Sequence, residues 1–381
     1  MSTNLSISLF TPVWLDNLVV RDDLATVLSD YSHTIGAVGG YLSADVKIAV
    51  SLNEGLRWLR DYIGYHLEVY DHAGVLIFEG FIDELELEVG GVSATVGPLM
   101  DVVNTATLKY QTISYNTNPP IGGNPTDTGE VQNDASVTLY GEMKALLSGG
   151  EMLSAEATQA VTRYVTEFGF PKRDIPQITL SDQETDMDFM LNVSLLGYYH
   201  LFEKQIPEDT TAGQISLDQK LTNIIDANAL FYYTADSLEE NTTLTGQAMN
   251  GEENAWDIIK SIMERSDDTF QRYLFQVLDG RVCHYFAVPQ QIDYLYSLAD
   301  PEQAVKTTQE VILYKWNVKA GRWIMVLDFL GGELPTSDIE GDPRNMFIES
   351  VTYQMPWHLA MAGGRVSLTE QMFSRFGLGG V

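Results

Sequence analysis

The chain has 381 residues, 45% apolar and 20% charged, a balance that belongs to folded globular proteins and excludes intrinsic disorder. Its 53 acidic side chains outnumber 22 basic ones, and the formal charge of −31 repels phosphate, which excludes nucleic-acid binding by counterion release. The single cysteine, Cys283, leaves no internal disulfide and no thiolate cage for a metal, which fits a reducing compartment.

The length passes the roughly 250–300 residues at which one core stops growing, so two or more domains are expected. The start, Met1 to Ser8, has neither a cationic n-region nor a long apolar h-region, so no signal peptide is expected. No apolar run approaches the ~18–20 residues that cross a bilayer, so no membrane span is expected either.

Residues 41–110 read as strands. Tyr41 to Val50 alternates, and Leu67–Tyr70 and Val75–Phe81 flank a hairpin turn at Asp71 to Gly74. From Glu84 to Val89 the two-residue period puts Leu85, Leu87 and Val89 on one face and Glu84, Glu86 and Glu88 on the other. A turn at Gly90 and Gly91 then restarts the alternation, with Val92, Ala94 and Val96 inward. Residues 116–136, rich in Asn, Pro and Gly, read as a surface loop or linker.

The middle third reads as helical. Ser154 can cap a helix whose apolar stripe is Ala157, Ala160, Val161, Tyr164, Val165 and Phe168, ended by Gly169 and Pro171. Residues 187–202 also fit a helix, weakened by Gly197, and Ser216 to Gln219 has the form of a capping box. Asn254 to Arg265 reads as a short amphipathic helix. Strands follow at Tyr273–Val277 and Arg281–Val288, joined by a turn at Asp279 and Gly280. A further hairpin is expected from Val311–Val318 and Trp323–Phe329 around Lys319 to Arg322, then a strand from Met346 to Tyr353 and a closing helix capped at Ser367.

Chemistry-bearing motifs are sparse. The histidines, His33, His66, His72, His200, His284 and His358, form no metal spacing, and core or surface roles suit them. There is no P-loop and no Gly-x-Ser-x-Gly elbow. Cys283 reads as a buried structural cysteine, since His284 points to the opposite strand face. Asp182 to Asp188 has some of the spacing of a calcium loop but Met187 where glycine is needed and Val193 where glutamate is needed; acids at a helix N-terminus account for it. No catalytic, cofactor or metal residue is therefore assigned. The row Glu84, Glu86, Glu88 has spacings of about 6.6–6.8 Å between same-face neighbours, workable for a glycosidase, but nothing in the pattern buries a carboxyl to raise its pKa. A solvated sheet face, or the lining of a channel, suits it better.

Several patches, Gly80 to Leu87, Gly97 to Tyr110, Trp316 to Val326, Asp342 to Tyr353 and Arg375 to Gly380, resemble structural proteins of tailed bacteriophages, in particular tail-tip and baseplate hub proteins. The resemblance implies a pair of related β-barrels with helical insertions, arranged as a ring around the path of ejected DNA. It implies self-association as a ring, taken as a trimer, contact with other phage tail or baseplate proteins, DNA only as a transiting polymer, and a place in the virion tail after assembly in the host cytoplasm. The expected fold class is α+β, β-rich: two antiparallel β-barrel-like regions with a helical insertion between them. The expected boundaries are 1–115 for a first barrel-like domain, 116–136 for the linker, 137–235 for the insertion, and 236–381 for a second barrel-like domain with a C-terminal strand and helix. The acidic row becomes the candidate lumen-facing element, since an acidic wall lets a polyanion slide. Trp14, Trp58 and Trp357 are candidate interface aromatics, against the core role usual for tryptophan. Two other readings remain: a virion-associated glycan hydrolase, which requires a deep pocket with a raised carboxyl pKa, and a sugar-binding adhesin, which requires an exposed aromatic platform.

Overall fold

The computed structural model describes residues 5–71, 73–89, 91–114, 121–176, 189–209, 213–246, 249–265, 271–297, 304–306, 310–313, 319–327, 345–354 and 359–366. Strands β1 (Ser6–Phe10), β2 (Val19–Arg21), β3 (Leu28–Gly36) and β4 (Gly39–Val50) lead into helix α1 (Leu52–Asp61). Next come β5 (His66–Tyr70), β6 (Leu76–Val89), β7 (Val92–Val96), β8 (Thr105–Ser114), β9 (Ile121–Asp127), β10 (Val131–Gln132), α2 (Asp134–Tyr140), β11 (Lys144–Met152), α3 (Ser154–Glu167), β12 (Arg173–Asp174) and β13 (Phe189–Leu196). Short strands β14 (Glu208–Asp209) and β15 (Gln214–Ser216) precede α4 (Leu217–Asp226), and β16 (Leu244–Gly246) and β17 (Met249–Asn250) follow it. Helix α5 (Ala255–Glu264) opens the last part, with β18 (Tyr273–Leu278), β19 (Val282–Ala287), β20 (Ile292–Ser297), β21 (Ala304–Lys306), β22 (Glu310–Leu313), β23 (Trp323–Leu327), β24 (Asn345–Gln354) and β25 (Leu359–Val366). The fold is α+β and β-rich, and its sheets are open rather than closed.

The central layer is a run of antiparallel neighbours in the order β7, β6, β13, β4, β3, β24. Alternation along each strand makes this layer two-faced, because successive side chains point to opposite sides. Leu85, Leu87, Leu191, Val193, Val46 and Ile48 fill the inner face and are at most 1% exposed. Each such side chain contributes about 1.5–3 kcal/mol by leaving water. Helix α1 covers this face. Ser51 caps it by accepting from the Glu54 amide at 3.3 Å, and its Trp58 is 1% exposed against the edge of Tyr62.

A second sheet sets β8 beside β11 in parallel and beside β9 and β10 antiparallel. Helix α3 packs on it through Ala157, Val161 and Val165 against Val103, Ala106, Leu108 and Tyr110. Of the apolar stripe expected for residues 154–168, Ala157, Val161, Val165 and the half-buried Tyr164 face the sheet, whereas Ala160 and Phe168 are exposed. The cap differs in detail: Ser154 is the first helical residue, and the Glu156 carboxylate accepts from the Leu153 amide at 3.2 Å. Helix α4 starts after Ser216, but the Ser216 hydroxyl makes no capping hydrogen bond.

Several elements depart from expectation. The helix expected over 187–202 is instead β13, followed by a 3-10 turn from Tyr198 to Lys204. Its residues Phe189, Leu191, Val193 and Leu195 alternate, while Phe189, Val193 and Leu196 also recur at four and three, and pairing to both β4 and β6 decides for the strand. Within the stretch expected to be a loop, Ile121–Asp127 forms β9 on β8, with a register irregularity near Gln111. Among the described residues of the hairpin expected from 311 to 329, β22 pairs with β21 and β25, while β23 pairs with β20 and β24. The closing helix expected after Ser367 lies outside the described residues.

A tryptophan-bearing helix precedes a hairpin twice, α1 before β5–β6 and α5 before β18–β19. In the second, a three-residue turn, Asp279–Arg281, reverses the chain with Gly280 at φ 71° and Arg281 at φ 60°, both in the left-handed region. The hairpin meets the central layer where Val277 lies beside Gly40. Gly40 has φ 78°, and a Cβ there would stand 2.3 Å from the Val277 carbonyl oxygen, so only glycine lets the two strands touch.

Candidate functional site: an acidic sheet face

The outer face of the central layer carries the glutamate row. Glu84 and Glu86 are half-buried and Glu88 is exposed, while Leu85, Leu87 and Val89 point inward, as the period demands. Across the strands the polar pattern continues. Glu86 lies opposite Thr95 on β7 and Asn192 on β13, and Asn192 is opposite Lys47 on β4. Glu84 lies opposite Ser194, which is opposite Asp45, which is opposite Ser32 on β3 and then Gln354 on β24. Side chains knit neighbouring strands: Asn192 donates to Glu86 and to Glu88, both at 3.1 Å, Ser194 donates to Asp45 at 3.1 Å, and Thr34 and Thr352 meet at 2.9 Å. Six strands span about 24 Å at the usual spacing. The strand pairings place Glu84, Glu86, Glu88, Asp45 and Asp30 on this face, together with Lys47. This face is broad, hydroxyl-rich and negative.

The period breaks next to the row. Glu84 pairs with Ser194 but Ile82 pairs with Leu195, so Asp83 is an extra residue in β6, a β-bulge. The bulge turns Asp83 inward, where its carboxylate accepts from the Met100 amide at 2.8 Å; burial pushes its pKa up to about 6.

A cleft of about 480 Å³ lies elsewhere, between the second sheet and the turn from Tyr198 to Lys204, with Trp14, Glu130, Tyr140, Glu142, Lys144 and Lys204 in its wall. Lys144 pairs with Glu130 at 2.7 Å and Glu142 at 3.5 Å, which satisfies those carboxylates. Neither Asp83 nor Glu79, the acids whose pKa burial raises, lines it. Pocket and poised acid do not coincide.

Trp14 is half-buried at the rim of this cleft, its indole donating to the Leu139 carbonyl at 2.9 Å. Trp58 is buried under α1 and is a core residue, so it presents nothing at the surface; burying its large apolar ring outweighs exposing it. Trp357, and the acidic stretch from Asp182 to Asp188, lie outside the described residues. Cys283 is fully buried, and burial pushes its thiol pKa far up, which makes it inert. His284 is half-buried on β19.

One constellation escaped sequence reading. His66 opens β5 and is 1% exposed, with Nδ1 2.7 Å from the Tyr198 hydroxyl and Nε2 3.0 Å from Glu68. Tyr70 donates to Glu68 at 2.6 Å. Glu79, directly opposite Glu68 on β6 and 2% exposed, accepts from the Arg281 amide at 2.7 Å. The i, i+2 spacing of His66 and Glu68 on a strand is a signal for one shared face, but Glu79, Tyr198 and Arg281 arrive only through the fold.

No protein-family model matches the chain, and no curated protein matches it in sequence. Among solved structures the likeness is to tail proteins. The 43 kDa tail protein of prophage MuSo2 from Shewanella oneidensis is 8% identical, with a TM-score of 0.46 over 96% of this chain and 97% of that one. The tail protein from Neisseria meningitidis MC58 is 8% identical, with a TM-score of 0.44 over 94% of this chain and 96% of that one. An E. coli component of the type VI secretion system, described as structurally similar to the T4 bacteriophage tail proteins gp27 and gp5, is 8% identical, with a TM-score of 0.45 over 91% of this chain and 74% of that one.

Proposed function

We propose that this chain is a non-enzymatic structural subunit of a phage tail, hub-like in position, that self-associates as a ring and turns its acidic sheet face toward the path of the DNA. The observation that carries the reading is the face spanned by Glu84, Glu86, Glu88, Asp45 and Asp30, where carboxylates and hydroxyls outnumber one lysine across six strands. A wall of this kind sets a single lysine among carboxylates against a transiting polyanion, so the DNA is guided and not held. The resemblance of the sequence patches supplies the assembly class. Among the described residues no helix is long and apolar enough to cross a membrane. The glycan-hydrolase reading is weaker, because its pocket and its raised carboxyl lie in different places.

Light scattering on the purified protein tests the assembly, with a ring expected at a small multiple of the 42.5 kDa chain. The lining is tested by a duplex-DNA retention assay at low salt. The wild-type ring is expected to retain no DNA, and the triple variant Glu84→Lys, Glu86→Lys, Glu88→Lys to retain it in a salt-sensitive manner. A strict monomer that cleaves bacterial polysaccharide, or a wild-type ring that holds duplex DNA tightly, overturns the proposal.

A further inference from the structure

His66, Glu68 and Glu79 each bring a metal-ligating atom to one spot, and those atoms all lie within 4.8 Å of one another. We propose that this spot is a structural site for a divalent transition-metal cation of the Zn2+ class, held by the His66 imidazole and the Glu68 and Glu79 carboxylates. An imidazole with two carboxylates is a donor set such cations accept. Ligands about 2.0–2.2 Å from a tetrahedral ion stand about 3.4 Å apart, so the three atoms need to close by at most about 1.4 Å.

Three features of the site point the same way. First, Glu68 and Glu79 are direct cross-strand partners on β5 and β6, and like charges facing each other there destabilise a sheet. Second, the nearby Arg281 favours both carboxylates only through space, without a direct ion pair. The Arg281 guanidinium donates to the Leu230 carbonyl at 2.9 Å and stacks over Tyr198 and Tyr232, and among the described residues no lysine or arginine pairs with either carboxylate. Third, every proposed ligand already has an outer partner that fixes its direction: Tyr198 on His66 Nδ1, Tyr70 on one Glu68 oxygen, and the Arg281 amide on Glu79. Such outer contacts orient the ligands of metal centres, and His66 Nε2, 3.0 Å from Glu68, is the ring nitrogen that faces the carboxylates. Glu68, with 18% of its side chain exposed, provides the way in.

The consequence is mechanical. Glu79 is gripped from one side by the amides of the Asp279–Val282 turn and from the other by the site, so the cation ties the β5–β6 hairpin to the β18–β19 hairpin.

Chelator-dialysed full-length protein, titrated calorimetrically with Zn2+ in excess Mg2+, is expected to take up one saturable equivalent per chain and to melt at a higher temperature as Zn2+ rises. Glu68→Gln and His66→Gln are expected to weaken that uptake by more than about tenfold, the lower end of what outer-partner loss alone causes. Glu167→Gln, on the exposed side of α3, is expected to leave it unchanged. Co2+ added to the wild-type protein supplies a readout that needs no variant to fold: an intense visible ligand-field spectrum of a low-coordinate site. The proposal is overturned if no saturable equivalent appears, if the equivalent survives in both ligand variants, or if Co2+ keeps the pale spectrum of its hydrated ion.

Discussion

His33 makes a quantitative test of how dry the inner face of the central layer is. The imidazole is 2% exposed, stacked on Tyr353 with centroids 4.7 Å apart, and packed between Tyr31 and Phe78. Neither ring nitrogen has a hydrogen-bond partner, and burial holds its pKa down to about 3. Above about pH 6.5, the value of an unfolded histidine, the ring is neutral in both states and contributes nothing to pH dependence. Below it the unfolded chain takes up a proton that the folded chain refuses. Stability therefore falls by about 1.4 kcal/mol per pH unit, accumulating to about 2.7 kcal/mol at pH 4.5 and about 5 kcal/mol by pH 3, where the folded form begins to protonate. His33→Phe keeps a stacked ring and removes the titration. Urea unfolding at pH 7.5, 6.5, 5.5 and 4.5 should show the variant's advantage widening by about 2.7 kcal/mol over the series, whatever constant offset repacking adds. A difference between variant and wild type that stays flat across that range would mean the imidazole is solvated or paired, and the reasoning would fail.

Asp83 should behave in the opposite sense. Its folded pKa of about 6 lies above the unfolded value, so the wild type loses stability as pH rises from about 4 to about 6. Asp83→Asn, which still accepts from the Met100 amide, should gain up to about 2–3 kcal/mol over wild type between pH 4 and pH 8 in the same urea series; no gain refutes it. Gly40→Ala places a Cβ against the Val277 carbonyl at a positive φ and should cost about 1–3 kcal/mol for the backbone alone, seen as a lower urea midpoint. An unchanged midpoint would show that β18 does not need that approach. Trp58→Ala should cost about 3–5 kcal/mol, as for other buried tryptophans, and leave the oligomeric mass unaltered when folded; a mass change with little loss of stability would return Trp58 to an interface.

Much of the architecture was legible residue by residue. The alternation in β4, β6 and β24, the turns near residues 71 and 280, the stripe of α3 and the short α1 and α5 all follow from local periodicity and turn chemistry, which need no partner to be recognised. The glutamate row and the burial of Cys283 belong to the same class, since period two alone assigns faces. Errors fell where two local readings were nearly equal. Phe189 to Leu196 satisfies a helical stripe and a strand alike, and only the empty place between β4 and β6 decides between them. Ile121 to Asp127 carries proline and two glycines that speak against a strand, yet it lies at a sheet edge, where proline's missing donor costs little.

The sequence by itself determined the faces: which side chains of each strand meet water, how acidic that side is, and where the chain reverses. The tertiary structure decided which strands stand next to each other, and with that the extent of the negative face, the inward turn of Asp83 and the meeting of His66, Glu68 and Glu79. The division has a physical cause. Facing is set by dihedral angles a few residues apart, whereas adjacency depends on closing long loops, whose entropy is repaid only when many distant apolar contacts form together.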